Sequence, residues 1–172
     1  MRKSLVLSCI FIAAIAGSSF LSYKEETAVS DVVSGEVTQV KPNAQQKKQI
    51  ECLAEAIWYE ARGEGRQGMI AVASVIKNRV KSSLYPDDFC KVIQQPKQFS
   101  FFGMKLRKPN KNSNLYKEIR YIAEDFVLNL EKISLPENVL WYHAEHVNPR
   151  WAKNLEKYDK IGNHVFYSIK GD

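Results

Sequence analysis

Between Gln67 and Lys81 the apolar residues Met69, Val72, Ala73, Val75, Ile76 and Val80 recur at helical spacing over a wide arc. A helix with so broad an apolar surface is a central one, and the rest of the chain must supply its cover. Two segments have the pattern for that. Gln46 to Arg62 places Ile50, Leu53, Ala54, Ile57, Trp58 and Ala61 at three- and four-residue intervals, and Gly63 marks its end. A second amphipathic run carries Leu115, Ile119, Ile122, Ala123, Phe126, Val127 and Leu130, with Asn112 or Ser113 as its cap. A short helix bearing Phe89, Val92 and Ile93, capped by Asp87 or Asp88, is stopped by Pro96.

The remaining segments are short. Gln98 to Phe102, followed by Gly103, reads as an extended stretch or small hairpin, and the basic tract Arg107 to Asn114 reads as an exposed loop. Val139 to Tyr142 and Val165 to Ile169 have strand composition, Pro149 starts a helical turn between them, and Gly162-Asn163 supplies a tight turn. The expected class is α+β: mostly helical, with a small antiparallel sheet and no internal repeat.

The 172 residues accommodate one domain and an N-terminal extension. Arg2 and Lys3 precede an apolar run from Leu5 to Ala13, and Ala14-Ile15-Ala16 has the small-x-small form of a cleavage site. Residues 1–22 are therefore expected to be a signal peptide or, uncleaved, a membrane anchor through residues 4–21, and the destination is periplasmic or extracellular. Residues 23–46 are polar and aperiodic and read as a linker, leaving 47–172 as the folded domain. Of the net charge of +6, Arg2 and Lys3 supply two units, and the rest is scattered over polar loops and helix faces. That balance suits an anionic polymer, while the lack of a basic stripe interleaved with aromatics argues against nucleic acid. Outside the targeting segment stand Cys52 and Cys90. In an oxidising compartment this pair is expected to form a disulfide, the alternative being two separate buried thiols.

Glu60 is the anomalous residue. At 100° per residue it lies about 20° from Leu53 around the helix, on the apolar face and beside the helix C-terminus. Desolvation and the carbonyl-rich helix end both raise the proton affinity of a carboxylate there. A carboxyl group that stays protonated near neutral pH is what a glycosidase acid requires. The competing reading is a structural ion pair with Arg62 or Arg66.

The stretch Glu60-Ala61-Arg62-Gly63-Glu64 resembles the motif of the cell-wall hydrolase family that includes the spore cortex-lytic enzymes and related phage proteins. Further blocks follow in family order: Ile70 to Ala73, Asn78-Arg79-Val80, Gln98-Phe99-Ser100, Trp141-Tyr142-His143, Pro149-Arg150-Trp151 and Ile161 to Tyr167. The resemblance implies a lysozyme-like fold, cleavage of peptidoglycan glycan strands by a monomer without a cofactor, and Glu60 in the catalytic position. It favours lytic transglycosylation, in which one carboxylate suffices. The better-known members have His where Tyr59 stands, so a contact made by that imidazole does not carry over.

Glycan sites combine aromatic faces with a few fixed polar groups. Gln98, Phe99, Ser100, Tyr142, His143 and Trp151 are the candidates for such a groove, each with core packing as its alternative. Glu64 is the candidate second carboxylate for ordinary hydrolysis, with pairing to Arg66 as its alternative. A different class of enzyme, a zinc-dependent peptidoglycan amidase or peptidase, would draw on His143, Glu145, His146 and His164. The spacing is not that of a zinc-protease helix, and alternation along a strand would turn His143 and His146 to opposite faces. An inert wall-binding module is the third reading.

Overall fold

A computed structural model describes residues 41–96, 98–99, 101 and 104–169. The targeting segment and most of the linker inferred above lie outside these residues. Helix α1 (Ala44–Ala61) begins two residues earlier than its apolar periodicity indicates. Asn43 accepts from the Gln46 amide at 2.9 Å while the Gln46 side chain accepts from the Asn43 amide at 2.9 Å. This reciprocal capping satisfies two otherwise unpaired donors and extends the helix into polar sequence.

Helix α2 (Gly65–Lys81) follows after a three-residue corner, and Gly65 adopts a positive φ of 68° there, which costs glycine little. From Ala71 to Arg79 every residue of α2 is buried, as the breadth of its apolar face requires. Helix α3 (Phe89–Ile93) is capped by Asp88, and α4 (Asn114–Leu128) by Ser113. Helices α1 and α4 pack against each other and both cover α2, with Ile50, Leu53, Ile57, Val72, Ile76, Ile119 and Phe126 among the residues excluded from water. The Cys52–Cys90 disulfide ties α1 to α3, with Cα atoms 5.3 Å apart. No helix among the described residues is long and apolar enough to cross a membrane.

Three antiparallel strands complete the fold: β1 (Val139–Ala144), β2 (Glu156–Ile161) and β3 (His164–Ser168), in the order β1-β3-β2. Strand β2 has no counterpart in the sequence reading, because Glu156-Lys157-Tyr158-Asp159-Lys160 shows no apolar alternation. It is a solvent-exposed edge, where charged side chains discourage pairing with other chains. A 3₁₀ turn at Arg150–Asn154 starts behind Pro149. Gln98 stands in a turn, with no strand among the described residues of the 98–102 stretch.

The sheet is fastened to α2 by two buried polar side chains. Asn78 Nδ2 donates to the carbonyls of Pro136 at 2.7 Å and Val139 at 3.1 Å, and Arg79 Nε donates to that of Leu140 at 2.8 Å. These bonds set where β1 leaves the helical layer, and hence where its later residues stand relative to the end of α1.

Candidate active site

Glu60 occupies the last turn of α1, half-buried, in a cleft of about 400 Å³ between the helices and the sheet. Gln98, Tyr142, His143 and Trp151 line the same cleft, together with Arg79, Ala144, Val147, Pro149 and His164. Among the described residues Glu60 is the only carboxylate in that lining. Burial raises its proton affinity, while a hydrogen bond from the Tyr142 hydroxyl (3.4 Å to Oε2) and the positive charge of Arg79 act in the opposite direction. Burial holds the Tyr142 phenol well above its ordinary pKa, so this group stays a proton-bearing donor to Glu60.

The aromatic wall is rigid for identifiable reasons. His143 Nδ1–H donates to the Ala144 carbonyl (2.9 Å), which leaves Nε2 to accept from the Tyr167 hydroxyl (3.0 Å). The imidazole stacks on Tyr167 at 5.3 Å, and Trp151 meets both rings edge-on at 5.6 and 5.5 Å. Trp151 remains 37% exposed, leaving part of its indole available to a ligand. His164 is buried edge-to-face against Tyr142 at 5.1 Å, and burial lowers its pKa, so it is a neutral ring that props the tyrosine.

One expected groove residue stands elsewhere. Phe99 is 3% exposed and belongs to the core, packing against Phe101 at 5.8 Å; an apolar ring beside a helix layer gains more from burial than from lining a wet cleft. Ser100 lies outside the described residues. Glu64 does not line the cleft. Its Oε2 accepts from the Asn163 amide at 2.6 Å and its Oε1 from Asn163 Nδ2 at 3.3 Å. A Cβ added at Gly162 would come within 2.3 Å of Glu64 Oε2, and one at Gly68 within 2.3 Å of its Cβ. Glu64 is thus a clamp between the α1–α2 corner and the β2–β3 turn. Tyr59 stacks on Phe101 at 4.8 Å, and its hydroxyl donates to the Arg107 carbonyl at 3.4 Å, so it packs.

The histidines do not form a zinc-ligand set. Both ring nitrogens of His143 are engaged, and no three His, Cys, Asp or Glu side chains converge among the described residues. Arg79 is a charged cleft residue to which sequence reasoning assigned no role in the groove, and His164, weighed there only as a zinc ligand, lies in the cleft wall. A signal for Arg79 was present: it stands seven residues after Val72 and three after Ile76, on the buried arc of α2.

Several known proteins resemble this chain in sequence or architecture. The chain is 30% identical over 127 residues to the spore cortex-lytic enzyme of Oceanobacillus iheyensis, and 28% identical over the same length to that of Bacillus subtilis. These matches take in 73% of this chain but 43% and 39% of the two relatives, so the chain spans less than half their length. Among solved structures, the catalytic domain of the germination-specific lytic transglycosylase SleB from Bacillus anthracis superposes with a TM-score of 0.57. It is 30% identical, and the match covers 74% of this chain and 100% of that one. The SleB catalytic domain of Bacillus cereus gives 0.59 at 28% identity, covering 74% and 94%. Their likeness makes the fold a mostly helical, lysozyme-like α+β domain. The family model described as Cell Wall Hydrolase matches residues 63–167, beginning three residues past Glu60, and the chain belongs to that family.

Proposed function

We propose that this protein cleaves the glycan strands of peptidoglycan by lytic transglycosylation, with Glu60 as the sole acid-base group. The observation that carries the reading is the carboxyl of Glu60, desolvated by burial and standing, among the described residues, without a second carboxylate in a cleft walled by Tyr142, His143 and Trp151. Hydrolysis by a glycosidase ordinarily needs two carboxyl groups flanking the bond. Glu64 is engaged through both oxygens by Asn163, which weighs against it in that second role. Likeness to the Bacillus anthracis domain, itself a lytic transglycosylase, supports the same choice.

In the first step the Glu60 carboxyl gives its proton to the glycosidic oxygen as the C1–O bond breaks, and the bonding pair leaves with that oxygen. The muramic acid ring is left as an oxocarbenium-like species. Its own 6-hydroxyl then bonds to C1, and the Glu60 carboxylate takes the hydroxyl proton. The product is a 1,6-anhydro sugar, and Glu60 ends protonated again, ready for another cycle. Tyr142, donating to Oε2, stabilises the carboxylate between the two transfers. Trp151 offers a ring face against which a sugar can pack. Gln98, exposed in the cleft lining, provides amide donors and an acceptor for sugar hydroxyls.

The substrate lies outside the cytoplasm, and the charged and apolar N-terminal residues fit export, with residues 1–22 as signal or anchor, a linker from residue 23 to the start of α1 at Ala44, and the remainder acting as a monomer. Digestion of purified sacculi with and without EDTA tests the reading. Both digests should release anhydro-muramic ends with uncut stem peptides. New free amino groups on intact glycan that form without EDTA and not with it would mark a metal-dependent peptidase instead, and reducing muramic acid ends would mark hydrolysis.

A further inference from the structure

Arg79, near the C-terminus of α2, is only 5% exposed. Its guanidinium lies 5.4 Å from the ring centre of Tyr85 and 5.9 Å from that of Phe99. One donor, Nε, is spent on the Leu140 carbonyl, while Nη1 is buried with no hydrogen-bond partner. Among the described residues no carboxylate forms an ion pair with it within 4.0 Å. A cation withdrawn from water without a contacting anion is costly to keep, and such groups are ordinarily paired. Fastening the sheet would need only the single bond to Leu140. The carboxylate that shares its cleft is Glu60, and each acts electrostatically on the other.

We infer that Arg79 is a positioning residue of this site: its buried guanidinium is the counter-charge that steadies the Glu60 carboxylate between the two proton transfers. This rests on the reading of Glu60 as the acid-base group. Arg79 acts through Glu60 and needs no contact with the sugar. The other groups facing Glu60 do not duplicate the role. Tyr142 from β1 donates a hydrogen bond but carries no charge, and His143 from β1 has both ring nitrogens occupied. His164 from β3 is neutral, and the Glu64 oxygens are held by Asn163. Arg79 is the one permanent cation among the described residues lining the cleft.

The charge has a directional consequence. Activity needs a protonated Glu60 at the outset and so falls as pH rises through that group's pKa. Removing the cation strengthens proton binding, which moves this alkaline limb to higher pH and slows the first transfer. A bond that only fastens the sheet would leave the limb where it is.

The test compares clearing rates of purified sacculi across pH for wild type, Arg79→Met, Arg79→Lys and Glu60→Gln, with thermal melts of each. Arg79→Met should lose about 10- to 100-fold at its optimum, and its limb should move up by about one pH unit. Arg79→Lys, which retains the charge, should keep the limb within about 0.3 pH unit of wild type. If Arg79→Met melts below the assay temperature, Arg79→Gln, which keeps a donor for Leu140, takes its place under the same criterion. A neutral variant whose limb coincides with that of wild type overturns the inference, and so does Arg79→Lys with its limb raised as far as the neutral variant's. Normal clearing by Glu60→Gln would instead remove the reading beneath it.

Discussion

Two clefts of nearly equal size flank the last turn of α1. One, of about 410 Å³, is lined by Trp58, Arg62, Arg107, Lys108, Pro109 and Asn110; the other, of about 400 Å³, holds Glu60. Trp58 and Glu60 are two residues apart, which turns them about 200° from one another around the helix. The cations of the first cleft are exposed, and Arg62 lies 5.3 Å over the Trp58 ring while donating to the Trp58 carbonyl. In the second, Arg79 is buried and Glu60 half-buried, and the Leu140 carbonyl and the Tyr142 hydroxyl hold them. Volume therefore does not distinguish the two. What does is the state of the charges, because a solvated cation is screened and mobile whereas a desolvated carboxyl has a proton affinity set by its surroundings.

The sharpest way to break this comparison is to remove the ionisable group from the Glu60 cleft. Glu60→Gln keeps the shape but has no acidic proton to donate, and general acid-base catalysis contributes typically 10² to 10⁴-fold. Clearing of sacculi should fall by at least about two orders of magnitude. The same variant should melt at or above the wild-type temperature near neutral pH. The sign follows from linkage: a carboxyl whose folded pKa is raised favours the fold below its unfolded pKa, and that contribution is lost as pH rises through the folded value. A neutral amide has no such loss.

Next in size is the disulfide. Replacing Cys52 and Cys90 by serine should lower stability by about 3 to 4 kcal/mol in the chain-entropy model, read as a shifted denaturant midpoint. At temperatures where the variant is folded its clearing rate should stay within about threefold of wild type, because the bridge joins α1 to α3 and contributes nothing to the cleft lining.

Glu64→Gln tests the other carboxylate near the end of α1. It should cost about 1 to 2 kcal/mol through weakened bonds to Asn163, with a clearing rate within about threefold of wild type. Equal rate losses in Glu60→Gln and Glu64→Gln would mean that the clamp is also chemistry, and the one-carboxylate mechanism would fall. The smallest effect belongs to the Trp58 cleft. Arg107→Ala should change clearing by less than about twofold at physiological salt, since the cation it removes is exposed and screened. A loss approaching that of Glu60→Gln would erase the distinction between the clefts.

How much of this was legible in the sequence depends on whether a residue's role leaves a periodic trace. The helices did, because burial of Ile50, Leu53, Ile57, Val72 and Ile76 imposes a 3.6-residue spacing, and caps such as Asp88 and Ser113 are chemically distinctive. Glu60 was legible for the same reason, as a charge on an apolar face. Arg79 obeys the same rule, yet its counterpart becomes apparent only when α2 and α1 are placed beside each other. Strand β2 left no trace because an exposed edge has no face to bury. Phe99 and Trp151 looked alike as aromatic candidates; which one packs in the core and which lines the cleft is decided by tertiary position. The clamp between Glu64 and the Gly162-Asn163 turn joins residues far apart in the chain, so spacing could not reveal it.

The central claim is that one carboxyl group gives a proton to the leaving oxygen and then takes one from the sugar's own 6-hydroxyl, which, and not water, closes the ring. Mass spectrometry of strand ends released from sacculi digested in ¹⁸O-enriched water tests this most directly, with wild type and Glu60→Gln run side by side. Wild type should release 1,6-anhydro ends without solvent-derived ¹⁸O, and the folded variant almost no new ends. Reducing ends carrying ¹⁸O, or anhydro ends released by Glu60→Gln at a rate close to wild type, would contradict it.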